Sequence, residues 1–191
     1  MRTLAPVAVL LLTASSAFAA ALGPGDASPP LAPTDVKGRV LSVPAPGHAM
    51  LLSFASRSTA EAVGEIARAI RVEHPGLEIL SFIDLSGLPG FMHEIVREQI
   101  AERQDGAVKA TRAAFARAGK TAPVDLDARI HIIADFDAEG CKTFGASDAG
   151  GLPVIVLIGT DGLVKAIFRE TSSLAEIESA VAKETGGEPS R

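Results

Sequence analysis

Residues 151–168 read GLPVIVLIGTDGLVKAIF. Two apolar runs flank Thr160-Asp161-Gly162, a turn sequence whose glycine accepts the positive φ that a tight antiparallel hairpin needs. Past the hairpin, Ser173-Leu174-Ala175-Glu176 is an S-x-x-E capping box. It opens a last helix with Leu174, Ile177 and Val181 on its inner face. Ahead of the hairpin, Arg129 to Ala134 (RIHIIA) has the length and apolar content of a core strand. Asp137 is placed to cap a short helix that runs to Phe144.

The N-terminal half supplies the other strands. Ala49 to Ala55 (AMLLSFA) is a compact apolar run of buried-strand length. A helix follows from Ser58 to about Val72, with Val63, Ile66, Ala67 and Ile70 at spacings of three and four. Ser58 and Glu61 form an S-x-x-E pair at its start, and His74-Pro75-Gly76 stops it. Leu77 to Asp84 (LEILSFID) completes a strand–helix–strand unit, whose two strands should be parallel. Beyond the loop Ser86 to Gly90, the pattern predicts one helix over Phe91 to Gln104 and another over Ala107 to Ala118. Val36 to Val43 reads as a short edge strand or hairpin before the core. The sum is an α/β sandwich of three layers, a mixed sheet with helices on both faces.

Composition narrows the function. The chain has 191 residues, 23 Asp or Glu against 18 Lys or Arg, and a net charge of −5, which excludes a basic nucleic-acid binder as the default. With no Trp, no Tyr and only 8 Phe, aromatic platforms for single strands are scarce too. A single Cys excludes an internal disulfide and a thiolate metal cluster.

The first residues read as an address. Arg2 precedes an apolar stretch from Leu4 to Leu12, and Ala17-Phe18-Ala19 fits a signal-peptidase site. A membrane anchor would need about 20 unbroken apolar residues; here Thr13, Ser15 and Ser16 dilute the run. Cleavage after residue 19 leaves 172 residues and, with Arg2 gone, a charge of −6. The expectation is a periplasmic or secreted protein with no membrane span after cleavage. Residues 20–34 (AALGPGDASPPLAPT) carry four Pro and two Gly without periodicity, and read as a flexible arm. The domain then covers residues 35–185, and 186–191 form a disordered tail.

This order of elements resembles the thioredoxin-like superfamily, in its exported, peroxiredoxin-like branch. The resemblance spans roughly residues 35–183. It is carried by Gly151-Leu152-Pro153 directly before a strand and an x-D-G hairpin, similar to the family's cis-proline loop. It is also carried by D-x-x-G-R at Asp35 to Arg39 and by the apolar strand ending in Phe54-Ala55. Ala55 to Ala60 (ASRSTA) is similar to a short stretch of YtfJ-type periplasmic proteins. The resemblance implies a cis bond at Leu152-Pro153 and an active-site helix that starts in Ser56 to Glu61 (SRSTAE).

No cysteine stands in that stretch. Family enzymes place a nucleophilic thiol at the helix start, where unsatisfied N–H groups and the helix dipole stabilise a thiolate. A serine keeps the hydrogen bond but ionises far less readily and forms no disulfide. Ser58 therefore reads first as a helix cap, worth about 1 kcal/mol, and second as a nucleophile or anion holder. Cys141, the single thiol, has two readings: a small packing residue, or a sensor thiol with Lys142 beside it.

Other patterns dissolve on inspection. Asp135 to Gly140 imitates the opening of a calcium loop, but the twelfth position is Ala146 where a bidentate Glu is required. Gly119-Lys120-Thr121 lacks the upstream glycine of a phosphate loop, where Ala114 stands. His48, His74, His93 and His131 are dispersed, with His131 expected as a surface or partly satisfied imidazole rather than a ligand. Asp84 ends a strand and reads first as a loop-capping acid and second as a functional strand-end group.

Two function classes follow. One is a non-catalytic binding module, with an extended peptide or a periplasmic protein held between Ser56, Arg57, Ser58 and Thr59 on one side and Leu152 and Pro153 on the other. The other is a thiol-dependent redox protein or peroxidase working through Cys141. Neither requires a metal or a cofactor.

Overall fold

The structure, a computed structural model, describes residues 22–147, 152–169 and 172–186. The expected leader, residues 1–19, and all of the expected tail but Gly186 lie outside the described residues, as does Gly151. Five strands form one sheet in the order β3-β2-β1-β4-β5: β1 (Met50–Ala55), β2 (Glu78–Asp84), β3 (Ile130–Asp135), β4 (Val154–Ile158) and β5 (Val164–Phe168). β1, β2 and β3 are parallel, with Phe54 opposite Phe82 and Phe82 opposite Ile133. β4 runs antiparallel beside β1 and pairs with β5 through the Thr160–Gly162 turn, where Gly162 has a φ of 76°.

Strand alternation divides the core in two. Ala49, Leu51, Ile79, Ile155 and Leu157 face α1 (Ala60–Glu73) and α4 (Leu174–Thr185), meeting Ile70, Ile177 and Val181. Met50, Leu52, Phe54, Leu80, Phe82, Val154 and Val156 face the other way, against α3 (Glu139–Thr143) and the N-terminal segment. Phe54 stacks on Phe82 at 4.9 Å and on Phe144 at 5.3 Å between centroids, filling the centre of that layer. α4 starts as expected: Ser173 accepts the Glu176 N–H, and the Glu176 carboxylate accepts the Ser173 N–H.

Three expectations are corrected. The two helices read over 91–118 are one helix, α2 (His93–Arg117), preceded by a 3-10 turn at Gly90–Met92. Gly106 interrupts the pattern but not the helix. Gln104, Val108, Thr111 and Phe115 are buried along one face across it, and that burial outweighs the roughly 1 kcal/mol cost of an interior glycine. Residues 22–34, read as an arm, lie on the domain. Ser28 donates its N–H to Gly162, Leu31 exchanges hydrogen bonds with Val43, and the side chains of Leu22 and Leu31 pack on the Phe54 layer. They cover a sheet face that α3, with five residues, cannot cover alone. The edge segment after them pairs only through isolated bridges, Leu31 to Val43 and Thr34 to Val40. Finally, the cis peptide bond among the described residues is Val43–Pro44, so the cis bond expected at Leu152–Pro153 is not found.

Of the two readings of His131 the structure shows the partly satisfied imidazole, since it is buried on β3. Its Nδ1 lies 3.2 Å from the carboxylate of Asp35, which is itself buried. Asp35 also accepts the N–H groups of Lys37 and Arg39 and the Arg39 Nε at 2.7 Å. Arg39 in turn donates to the Ile130 and Asp127 carbonyls. The D-x-x-G-R stretch thereby pins the 35–39 turn to β3.

Candidate functional site at the carboxyl ends of β1 and β2

β1 ends at Ala55, and the chain turns through Ser56, Arg57, Ser58 and Thr59 before α1 begins at Ala60. The turn is tied internally. Ser56 donates its N–H to Thr59 Oγ1 at 3.0 Å, and the Ser56 hydroxyl lies 2.9 Å from that of Ser58 and 3.0 Å from that of Thr59. The Ser56 carbonyl accepts the N–H groups of Thr59 and Ala60. The expected capping box of Ser58 with Glu61 does not form. Thr59 is the residue at the cap position, and no side chain caps the helix. The physical reason is competition: Ser, Thr and neighbouring amides satisfy one another inside the turn before any hydroxyl reaches the first helical N–H.

β2 ends at Asp84, whose Oδ1 accepts the Ser86 N–H at 3.0 Å and its hydroxyl at 2.7 Å. That is the loop-capping role expected of it. Leu85 is buried and donates its N–H to the Asp135 carbonyl, which anchors the loop to β3. Between the Ser56–Ala60 turn, the Ile83–Gly87 loop and the Val96–Arg103 face of α2 lies a cleft of roughly 700 Å³. Arg57, Ser58, Ser86, Gln99 and Arg103 give it a polar lining over an apolar floor that includes Ile100. The α2 residues of this wall were not anticipated. Nothing local in Gln99 or Arg103 marks them, since only the packing of α2 against α1 and β3 brings them to the turn.

Leu152 lies on the opposite side of Ser56. It lines a cavity of about 30 Å³ with Ser56, Asp84 and Cys141, too small for a ligand. Leu152 is 40% exposed, and Pro153, which follows it, is half-buried at the start of β4. Ser56 and Leu152 therefore meet across one small space, while Arg57 and Ser58 open toward the α2 side.

Cys141 is buried at 3% exposure among Phe54, Phe82 and Phe144. Burial pushes its thiol up to about 12, and the carboxylates of Asp135 and Asp84 push in the same direction. Such a thiol is neutral and poorly nucleophilic near pH 7. The residue expected to cap α3, Asp137, does not. Asp135 performs that task from two residues earlier, accepting the N–H of Glu139 at 2.8 Å and of Cys141 at 3.0 Å. This also accounts for the acidic run that imitates a calcium loop. Among the described residues, no three His, Cys, Asp or Glu side chains gather as a metal ion would need.

No protein-family model matches the chain, and no curated protein matches it. Solved structures do. A thiol:disulfide interchange protein of the thioredoxin family from Chlorobium tepidum TLS superposes with a TM-score of 0.52 at 14% identity, over 86% of this chain and 99% of that one. BsSco, a member of the Sco family of cytochrome c oxidase assembly proteins, gives 0.54 at 15%, over 86% and 97%. MTB DsbF gives 0.51 at 15%, over 80% and 93%. The mixed sheet, its strand order and these neighbours agree: the chain has the thioredoxin-like fold, with serines and a threonine in the turn before α1 and its single cysteine elsewhere.

Proposed function

We propose that this is an exported thioredoxin-like protein that binds an extended peptide or protein segment without thiol chemistry. The observation that carries the reading is the turn before α1. Ser56, Ser58 and Thr59 hold one another there by hydrogen bonds, and the single thiol is buried away from solvent. Interchange of disulfides needs an accessible thiolate, and no such group stands at the turn. What remains is a shaped surface: the Ser56–Thr59 turn, with Leu152 and Pro153 to one side and the α2 cleft to the other. Export rests on the leader read in residues 1–19. Among the described residues no helix is long and apolar enough to cross a membrane.

The redox reading through Cys141 has the names of the structural neighbours in its favour and the burial of the thiol against it. One experiment separates the two. Short extended peptides are titrated into the isotope-labelled mature protein and chemical shifts are mapped, for the parent and for Cys141→Ala. The expected result is perturbation at Ser56 to Thr59 and at Leu152 and Pro153, the same in both proteins. Shifts confined to distant surfaces, or no binding by any peptide, would overturn the reading. Saturable peroxide consumption that disappears in Cys141→Ala would put the redox protein in its place.

A further inference from the structure

The guanidinium groups of this protein are mostly spoken for. Arg39 pairs with Asp35, Arg68 with Glu65, Arg97 with Glu94, Arg112 with Asp127 and Arg129 with Asp125. Arg57 and Arg103, like the exposed Arg169 after β5, depart from this pattern. Neither makes an ion pair or side-chain hydrogen bond with another described residue, and both line the same cleft. They come from different elements, the turn after β1 and the middle of α2, 46 residues apart in sequence. Acidic side chains outnumber basic ones by five in the chain. Two unpaired guanidiniums brought into the lining of one concavity from different elements are therefore a local inversion of its charge.

The rest of the lining fits the same chemistry. Asp84 is the single carboxylate in the wall, and its Oδ1 is already engaged by the Ser86 N–H and hydroxyl. Ser58 and Gln99 add polar groups able to donate hydrogen bonds. Guanidinium is the group best shaped to take a carboxylate through two parallel hydrogen bonds. At roughly 700 Å³ the cleft is larger than one carboxylate requires and has room for several residues of chain.

We infer that the cleft between the Ser56–Ala60 turn and α2 selects acidic peptides, with Arg57 and Arg103 clamping a carboxylate from two different elements. The inference rests on the peptide-binding reading and names the ligand class and the residues that select it. The carboxylate is that of an acidic side chain within the peptide.

The test is fluorescence anisotropy with the full mature protein and labelled peptides of alternating alanine and glutamate, each also made with glutamine replacing glutamate and with an amidated C-terminus. Arg57→Gln, Arg103→Gln and Arg103→Glu are compared with Lys109→Glu, an exposed charge reversal outside the cleft lining. The glutamate peptide should bind about tenfold tighter than its glutamine counterpart, with the gap closing as salt is raised. Each Gln variant should lose about tenfold for that peptide, Arg103→Glu more, and Lys109→Glu little. Loss on glutamate replacement and not on amidation is expected, whereas loss on amidation alone would make a free C-terminus the ligand and overturn the acidic selection. If glutamate and glutamine peptides bind equally and the arginine variants change nothing, the acidic selection is wrong while peptide binding stands. If no peptide binds at all, the functional reading fails with it. Arg57 and Arg103 are exposed and unpartnered among the described residues, so these variants leave the packed core intact, which unchanged thermal unfolding would verify.

Discussion

The carboxylate of Asp135 sits across the backbone of Cys141: Oδ2 takes the Cys141 N–H at 3.0 Å while Oδ1 takes that of Glu139 at 2.8 Å. One acid thus caps α3 and places a negative charge beside the thiol. The arrangement is the reverse of a reactive site, where a cation or a free helix N-terminus lowers the thiol pKa.

Cys141 should therefore resist peroxide and iodoacetamide in the native protein and react once it is unfolded. Intact mass across pH reads this directly, and rapid native modification near pH 7 would contradict it. The same raised pKa affects stability. Above pH 9 the unfolded thiol, with its ordinary value of 9.0, loses its proton while the native thiol keeps it until about 12. The native state then binds more protons, so stability falls as pH rises through that window, by about 1 kcal/mol per pH unit. Cys141→Ala should lose that slope in urea titrations.

Asp35 is the second buried acid with a structural task. Burial alone would raise its pKa, but the Arg39 amide, the His131 ring and the Arg39 guanidinium outweigh burial and hold it below 3.8. Its stabilisation is present above 3.8 and is lost as pH falls through the lowered native value. Asp35→Ala strips partners from His131 and Arg39 at once, and a cost of about 3 kcal/mol in chemical denaturation is expected. A cost below about 1 kcal/mol would show that the 35–39 turn is held by other means.

His131 titrates in a different range. Burial lowers its pKa below 6.5, against the opposing pull of the Asp35 hydrogen bond. The unfolded chain then binds the proton first, so stability conferred by the neutral ring is complete above 6.5 and declines as pH falls toward the native value. His74 is shifted in the same direction, chiefly by burial. His131→Gln should flatten the stability profile below pH 6.5 relative to the parent, and His74→Gln serves as the comparison. An unchanged slope in His131→Gln would refute the assignment.

Arg71 is buried at 3% exposure, with Nη2 3.5 Å from the Ile79 carbonyl and Nη1 without a partner. Burial lowers its pKa to about 10, Arg129 adds to the shift, and Glu78 opposes it. A buried cation so poorly satisfied contributes little. Arg71→Met should match or exceed the parent in stability, by up to about 2 kcal/mol. A loss of similar size would mean that the Ile79 carbonyl and the charge of Glu78 hold the guanidinium more effectively than one long hydrogen bond suggests.

Ser58 offers the converse of Cys141. It is exposed just before α1, so Ser58→Cys places a thiol where helix N–H groups favour the thiolate. Its alkylation at neutral pH should be at least about tenfold faster than that of Cys141. Equal rates would show that the turn no longer provides a thiolate-stabilising environment.

Much of the fold is legible in the chain because its signals are local. The apolar runs 49–55 and 77–84, the capped helix after Ser173 and the Thr160-Asp161-Gly162 turn each act within a few residues. Strand direction then follows from the length of each connection. Where readings went astray, a distant surface decided. Gly106 breaks a sequence pattern but not α2, because Gln104 and Val108 are buried on either side of it. Pro-rich residues 22–34 look like a tether, yet Leu22 and Leu31 cover the side of the sheet that α3 leaves open. His131 admits two readings, and Asp35, 96 positions away, selects the partly satisfied one by making its burial tolerable.

By itself, the sequence determined the layered α/β architecture and the absence of a thiol from the turn before α1, since both are properties of residue order and identity. Tertiary structure alone decided that Cys141 is buried among three phenylalanines and that Arg57 and Arg103 line one cleft. Burial and the pairing of charges depend on which surfaces meet, and the 45 residues between those two arginines carry no local signal of that meeting.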